Sequence, residues 1–202
     1  MNFDFVHGQQ RIGKPVVFVL CLLPFVLLVL RLMTNDLGAN PIEAFTRHSG
    51  EWGLRFLLIT LSITPLKRLI KQSWPMRYRR MLGLFAFFYI CVHLSSYIVL
   101  DQFFDWPEIW ADILKRPFIT IGMTGFLLLI PLALTSNKVM MKRLGRNWQR
   151  LHRLVYVIGV CGVLHYFWLV KADLYWPTLY AAILFVLLAV RVAKYCKLPS
   201  TR

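Results

Sequence analysis

WQRLHRLVYVIGVCGVLHYFW, residues 148–168, sets His152 and His165 at the two ends of an apolar run, and FYICVHLSSYIVL, residues 88–100, sets His93 inside another. Ionisable side chains at membrane depth are costly, and they mark cofactor, proton or ion sites. Among them histidine is the one best suited to hold iron, through a neutral imidazole.

The membrane reading rests on composition. The 202 residues are 58% hydrophobic and only 16% charged, with mean hydropathy +0.58, whereas a soluble domain carries about 25% charged residues. Six apolar stretches follow one another, over Pro15–Leu30, Trp52–Leu66, Met81–Leu100, Phe118–Leu134, Leu154–Val170 and Leu174–Val190. Several are shorter than the ~20 residues that span a bilayer core, so flanking Trp, Tyr, Arg and Lys must complete them at the interface. The expected fold is an all-α integral membrane protein, a six-transmembrane-helix bundle forming one domain over residues 1–202.

Charge sets the orientation. With the N-terminus inside, the inner segments carry Arg11 and Lys14, six basic residues from Lys67 to Arg80, six from Lys138 to Arg153, and four from Arg191 to Arg202. That is 18 of the 24 basic residues, so the positive-inside rule puts both termini in the cytoplasm. All acidic residues but Asp4 fall on the outer side. The net charge of +15 therefore reads as topology and anionic-lipid contact; nucleic acid is not expected as a partner, since no recognition motif accompanies it.

The first apolar run is longer than a signal-peptide core, and no small-residue cleavage site follows in RLMTNDLGANP, which predicts a retained span. Cys21, Cys91, Cys161 and Cys196 are scattered, without disulfide or zinc spacing, and read as packing residues. No stretch could fold as a separate soluble domain, no phosphate-binding glycine loop occurs, and no internal repeat is apparent. Electrons or substrates must come from the membrane or from another protein.

On the expected topology His93 and His165 lie at similar depth near the outer side, so a bis-histidine haem bridging the third and fifth spans is reasonable. His152 lies about 20 Å from His165 along the axis, and thirteen residues at 100° each turn the two to different faces of a straight helix unless Gly159 or Gly162 distorts it. At the depth of His152 the third span offers Arg79 and Arg80. The alternative for His93 and His165 is a helix–helix hydrogen bond; for His152 it is an interfacial side chain. His7 and His48 read as loop residues. Arg79, Arg80, Arg150 and Arg153 could meet propionates of an inner haem, and Arg55, Lys115 or Arg116 those of an outer one. Asp101, Asp105, Glu108 and Asp112 form an acidic cluster beyond the third span, suited to a basic periplasmic partner.

RRMLGLFAFFYICVHLSSY (79–97), KRPFITIGMTGFLLLIPLALTS (115–136) and LGRNWQRLHRLVYVIGVCGVLHYFW (144–168), in that order along six spans, resemble the MsrQ (YedZ) family of the ferric reductase-like transmembrane superfamily. The resemblance runs from about Leu22 to Val192. It implies a haem b electron-transfer subunit of the bacterial inner membrane, with no substrate-reducing site of its own. Electrons would pass from the quinone pool, or from a cytosolic flavin reductase, to the periplasmic molybdopterin enzyme MsrP, which repairs methionine sulfoxide in oxidised periplasmic proteins. It also implies FMN, for which no motif is visible. Its relatives carry two histidines on each of two helices; here Arg79 or Arg80 replaces one of the four, which favours one haem over two. His93, His165 and His152 are the candidate iron ligands, and Arg79, Arg80 and Arg153 are cofactor-binding candidates. The competing class is a non-redox permease using the histidines as a proton relay; it calls for paired acidic residues within the spans, and the chain has none there.

Overall fold

A computed structural model describes residues 3–197, with side chains over 13–193. Helix α1 covers Phe3–Met33 and α2 Pro41–Leu69; a 3-10 turn at Trp74–Arg77 leads into α3, Arg79–Ser96, which runs on as a π-helical turn at Tyr97–Asp101. There follow α4 (Trp106–Lys115), α5 (Pro117–Leu134), α6 (Lys138–Leu144), α7 (Arg146–Leu151), α8 (Leu154–Leu169) and α9 (Tyr175–Lys197), and no strand occurs among the described residues.

Among the described residues five segments are long and apolar enough to cross a membrane: Gly13–Met33, Arg79–Asp101, Pro117–Leu134, Arg146–Leu169 and Tyr175–Ala193. Their outward residues, among them Leu20, Leu127, Phe185 and Val192, are exposed and apolar, as expected where lipid is the solvent. Helix α2 is not among the five. It is 29 residues long, and its first half carries Glu43, Arg47, Glu51 and Arg55. These charges pair along the helix, Arg47 with Glu43 at 3.2 Å and Arg55 with Glu51 at 3.0 Å. The rest of α2 is enclosed by its neighbours, with Leu54, Phe56, Leu57, Leu58, Leu61 and Ile63 buried, so its hydropathy is met by protein contacts.

Helix α2 starts earlier than the apolar pattern indicates. Asn40 caps it through Glu43 N–H and Pro41 stands at its first turn, where a missing amide costs nothing. His48 is therefore a helix residue and not a loop residue, and His7 likewise falls within α1, its side chain outside the described ones. The Cys196 side chain is also outside them, whereas Cys21, Cys91 and Cys161 are unpaired.

Two prolines inside helices are answered by side chains from elsewhere. Next to Pro24, the fully buried Tyr89 hydroxyl enters the α1 ladder, accepting from Phe25 N–H at 2.9 Å and donating to the Cys21 carbonyl at 2.9 Å, which is how a side chain sustains a kink. Pro65 has no amide to offer the Leu61 carbonyl four residues back. Arg191 of α9, buried, donates to that carbonyl at 2.7 Å and lies over the Tyr156 ring at 4.7 Å. The tightest packing is between α2 and α3 and between α5 and α8, and these two pairs carry the histidines.

The stretch from Asp101 to Pro117 contains α4, capped by Asp105 through Glu108 N–H. Ile109 and Asp112 face the bundle, while Trp106, Trp110 and Leu114 form an exposed stripe of the kind found at membrane interfaces.

Candidate functional site

The two best-placed histidines are held by the same device. His93 Nδ1–H donates to the Thr46 carbonyl of α2 at 2.8 Å, and His165 Nδ1–H donates to the Phe118 carbonyl of α5 at 2.7 Å. A carbonyl only accepts, so each ring must carry its proton on Nδ1. Nε2, on the far side of each ring, keeps its lone pair. A metal-binding histidine is oriented in this way by a second partner.

Each carbonyl lies four residues before a glycine, and the imidazole passes over that glycine. A methyl group on Gly50 would sit 2.9 Å from His93 Nδ1, and one on Gly122 would sit 2.6 Å from His165 Nδ1. One turn further along, Gly53 and Gly125 let the facing helices approach, a methyl group on them meeting Ile90 Cδ1 at 2.5 Å and Cys161 Cβ at 3.2 Å. Thr46, Gly50, Gly53 and His93 thus recur as Phe118, Gly122, Gly125 and His165, every member displaced by 72 residues. The sequence shows no evident internal repeat, yet this local pattern of carbonyl, two glycines and histidine occurs in both the α2–α3 and the α5–α8 pair around the site.

The imidazole centroids are 6.0 Å apart and the ring planes cross at 80°. Two metal–imidazole bonds of roughly 2.0–2.1 Å in line, with the ring radii added, come to roughly 6 Å. Around the rings is a cavity of about 380 Å³, within the usual ~300–1,000 Å³ of cofactor pockets. Its walls are apolar, from Leu54, Leu57, Ala86, Phe126, Leu129 and Ile158, thinned by Gly53, Gly125 and Gly162. Its polar lining comprises Arg47, Arg116, Tyr97, Glu43, Glu51 and Asp101. An apolar macrocycle with two carboxylates fits the apolar walls and the two imidazoles, with Arg47 and Arg116 as the cations of the lining, each already paired with a carboxylate, Glu43 and Asp112.

Of the expected outer cations, only Arg116 lines the cavity. Arg55 is turned away into a network, donating to Glu51 and, at 2.8 Å, to the Tyr180 hydroxyl, while Tyr166 donates to Glu51 at 3.1 Å. Arg47, not anticipated, also lines the cavity, paired with Glu43 at 3.2 Å. Asp112 is buried and bound to Arg116 at 2.9 Å and to the Tyr97 hydroxyl at 2.9 Å, so it leaves the acidic cluster and becomes the support of a rim cation. Asp101, Asp105 and Glu108 remain exposed.

His152 is not brought to the other two. The helix breaks at His152–Arg153, between α7 and α8, so the phase difference with His165 is set there and not at Gly159 or Gly162. Its ring stacks on Trp148 at 3.9 Å, Nδ1 bonds the Trp148 carbonyl at 3.1 Å, and Nε2 is buried without a partner. Arg79 is its charged neighbour. Arg80 and Arg153 are exposed, and neither they nor Arg79 line the cavity.

Comparison with known proteins gives a consistent picture. Residues 49–163 match the family described as ferric reductase like transmembrane component. A protein of Rhodospirillum rubrum named "Protein-methionine-sulfoxide reductase heme-binding subunit MsrQ" is 60% identical over 188 residues, covering 93% of this chain and 90% of that protein. Proteins of the same name from Herminiimonas arsenicoxydans and Caulobacter vibrioides are 54% and 52% identical, over 95% and 91% of this chain and 89% and 88% of theirs. No solved structure matches.

Proposed function

The chain belongs to the MsrQ family of ferric reductase-like transmembrane components, and we propose that it is the haem-binding electron-transfer subunit of a methionine sulfoxide reductase system. The observation that carries this reading is the pair of Nδ1-anchored imidazoles 6.0 Å apart in an apolar cavity. His93 and His165 would hold one haem b, and Arg47 and Arg116 could meet its propionates. When bound, the iron supplies a one-electron carrier.

The protein's own task is orientation and exclusion. Backbone carbonyls hold both imidazoles neutral and aimed, and apolar walls keep water and oxygen-reactive groups from the metal. Asp112 and Tyr97 hold Arg116 at the rim. Counting α2 as a span gives six, with both termini cytoplasmic by the positive-inside rule, in the bacterial inner membrane. That arrangement sets the cavity near the periplasmic face. Electrons come from the quinone pool or a cytosolic flavin reductase and leave to periplasmic MsrP; FMN belongs to this reading without assigned residues. A proton-relay permease is disfavoured because the one largely buried carboxylate of α2, Glu51, is engaged by Arg55 and Tyr166.

The test is a reoxidation experiment. The purified chain, reduced chemically under argon, is mixed with MsrP with and without a peptide containing methionine sulfoxide. With MsrP in catalytic amount, far below the haem, full reoxidation is expected only when the peptide is also present, since the sulfoxide takes up two electrons per turnover. Reoxidation that ignores the peptide, or a protein without haem, would overturn the reading.

A further inference from the structure

We infer that Gly50 and Gly122 are positioning residues for the haem: each opens a slot in its helix through which an imidazole reaches a backbone carbonyl, and the two slots together cross the imidazole planes. The inference rests on the haem reading above and goes beyond it, since it concerns what fixes the ligands' tautomer and plane.

An α-helix ordinarily covers its carbonyls with the side chains of the next turn. At Gly50 and Gly122 that cover is missing, and in each case the exposed carbonyl is the one four residues earlier. The added carbon of an alanine would meet Nδ1 at 2.9 Å and 2.6 Å, with Cε1 at 3.1 Å and 3.0 Å. These are contacts to a ring and not to the end of a flexible chain. The ring cannot swing away without losing its carbonyl, and with the carbonyl it loses the constraint on which nitrogen faces the metal.

The two slots hold the crossing. Two helix pairs present the same carbonyl–glycine slot, displaced by 72 residues, to the same cavity. Each slot sets its ring by its own helix, not by the opposite ring, and the result is 80° between planes. In a low-spin ferric haem, parallel axial imidazoles split the two iron d orbitals of π symmetry and give three resolved electron paramagnetic resonance lines. Crossed imidazoles leave those orbitals nearly equal in energy and give a single feature at large g.

The experiment is low-temperature electron paramagnetic resonance with haem quantification on the oxidised full-length protein. It covers the wild type, Gly50→Ala, Gly122→Ala and Gly159→Ala. Gly159 lies on the His165 helix, but its added carbon would meet Leu184 at 3.2 Å and no imidazole. The wild type is expected to show the single large-g feature. Gly50→Ala and Gly122→Ala should either shift it toward a three-line spectrum or lower haem affinity about 10–100-fold, the usual effect of losing a ligand's orienting partner. Gly159→Ala should keep the wild-type signal even if its unfolding temperature falls. A wild-type protein with bis-histidine haem but three resolved lines would overturn the inference and leave the haem reading intact; so would alanine variants with full haem and an unchanged signal. Where an alanine variant cannot be obtained folded, the wild-type signal still decides. A wild type without haem would instead refute the haem reading itself.

Discussion

The two ends of this bundle both hold histidine and arginine, and they use them differently. At the end that carries His93 and His165, the rings reach carbonyls through glycine slots, their Nε2 lone pairs are free, and a cavity lies between. At the end that carries His152, the ring lies flat on Trp148 and the buried Arg191 is occupied with the carbonyl that Pro65 leaves open. The difference is that His93 and His165 keep a free nitrogen beside a cavity, as the proposed ligand role requires, whereas the His152 ring does not line that cavity. There the same residue type serves packing, and buried arginine serves as a hydrogen-bond donor to a broken helix.

The contrast can be broken at the basic end first. Arg191→Met should destabilise the protein by about 1–3 kcal/mol, the cost of a buried carbonyl left without a donor, read as a lower unfolding temperature in detergent. Restoring an amide with Pro65→Ala should rescue most of that loss, because residue 65 can then supply the Leu61 carbonyl itself. Equal losses in the two backgrounds would mean that Arg191 acts through something other than Leu61. Neither variant should change the haem spectrum.

A smaller effect is expected at the rim. Asp112→Asn removes the charge that holds Arg116 and weakens the tie to Tyr97. Haem dissociation to an apo-globin trap should quicken several-fold while the axial-ligand spectrum stays the same. If the ligand spectrum changes instead, Asp112 acts on the histidines and not on the rim. The smallest effect concerns the partner. Neutralising Asp101, Asp105 and Glu108 together should slow haem reoxidation by MsrP at low ionic strength and leave it unaltered at high salt, as expected for steering between screened charges. Identical rates at low salt would move the docking surface to another outer loop.

Much of this was legible in the chain. Helical class, the apolar runs and the shared depth of His93 and His165 all follow from side-chain pattern. Helix α2 was only half legible, because Glu43, Arg47, Glu51 and Arg55 look like loop charges until their four-residue spacing is read as pairing on a helix. The break at His152–Arg153 had no signal, since neither proline nor glycine stands there. The local pattern shared by the two helix pairs was hidden for a chemical reason: its essential acceptors are the backbone carbonyls of Thr46 and Phe118, two residues with nothing in common as side chains. What could have shown it is the pair of glycine doublets, Gly50 with Gly53 and Gly122 with Gly125, each preceding a histidine by the same interval.

The central claim is that His93 and His165 hold one haem and His152 does not. The direct measurement is the haem-to-protein ratio and visible spectrum of His93→Ala, His165→Ala and His152→Ala, each purified from haem-replete cells beside the wild type. The account predicts that the first two lose the same low-spin haem and that His152→Ala keeps it in full with an unchanged spectrum. Loss of the haem from His152→Ala with retention in His93→Ala or His165→Ala would contradict it.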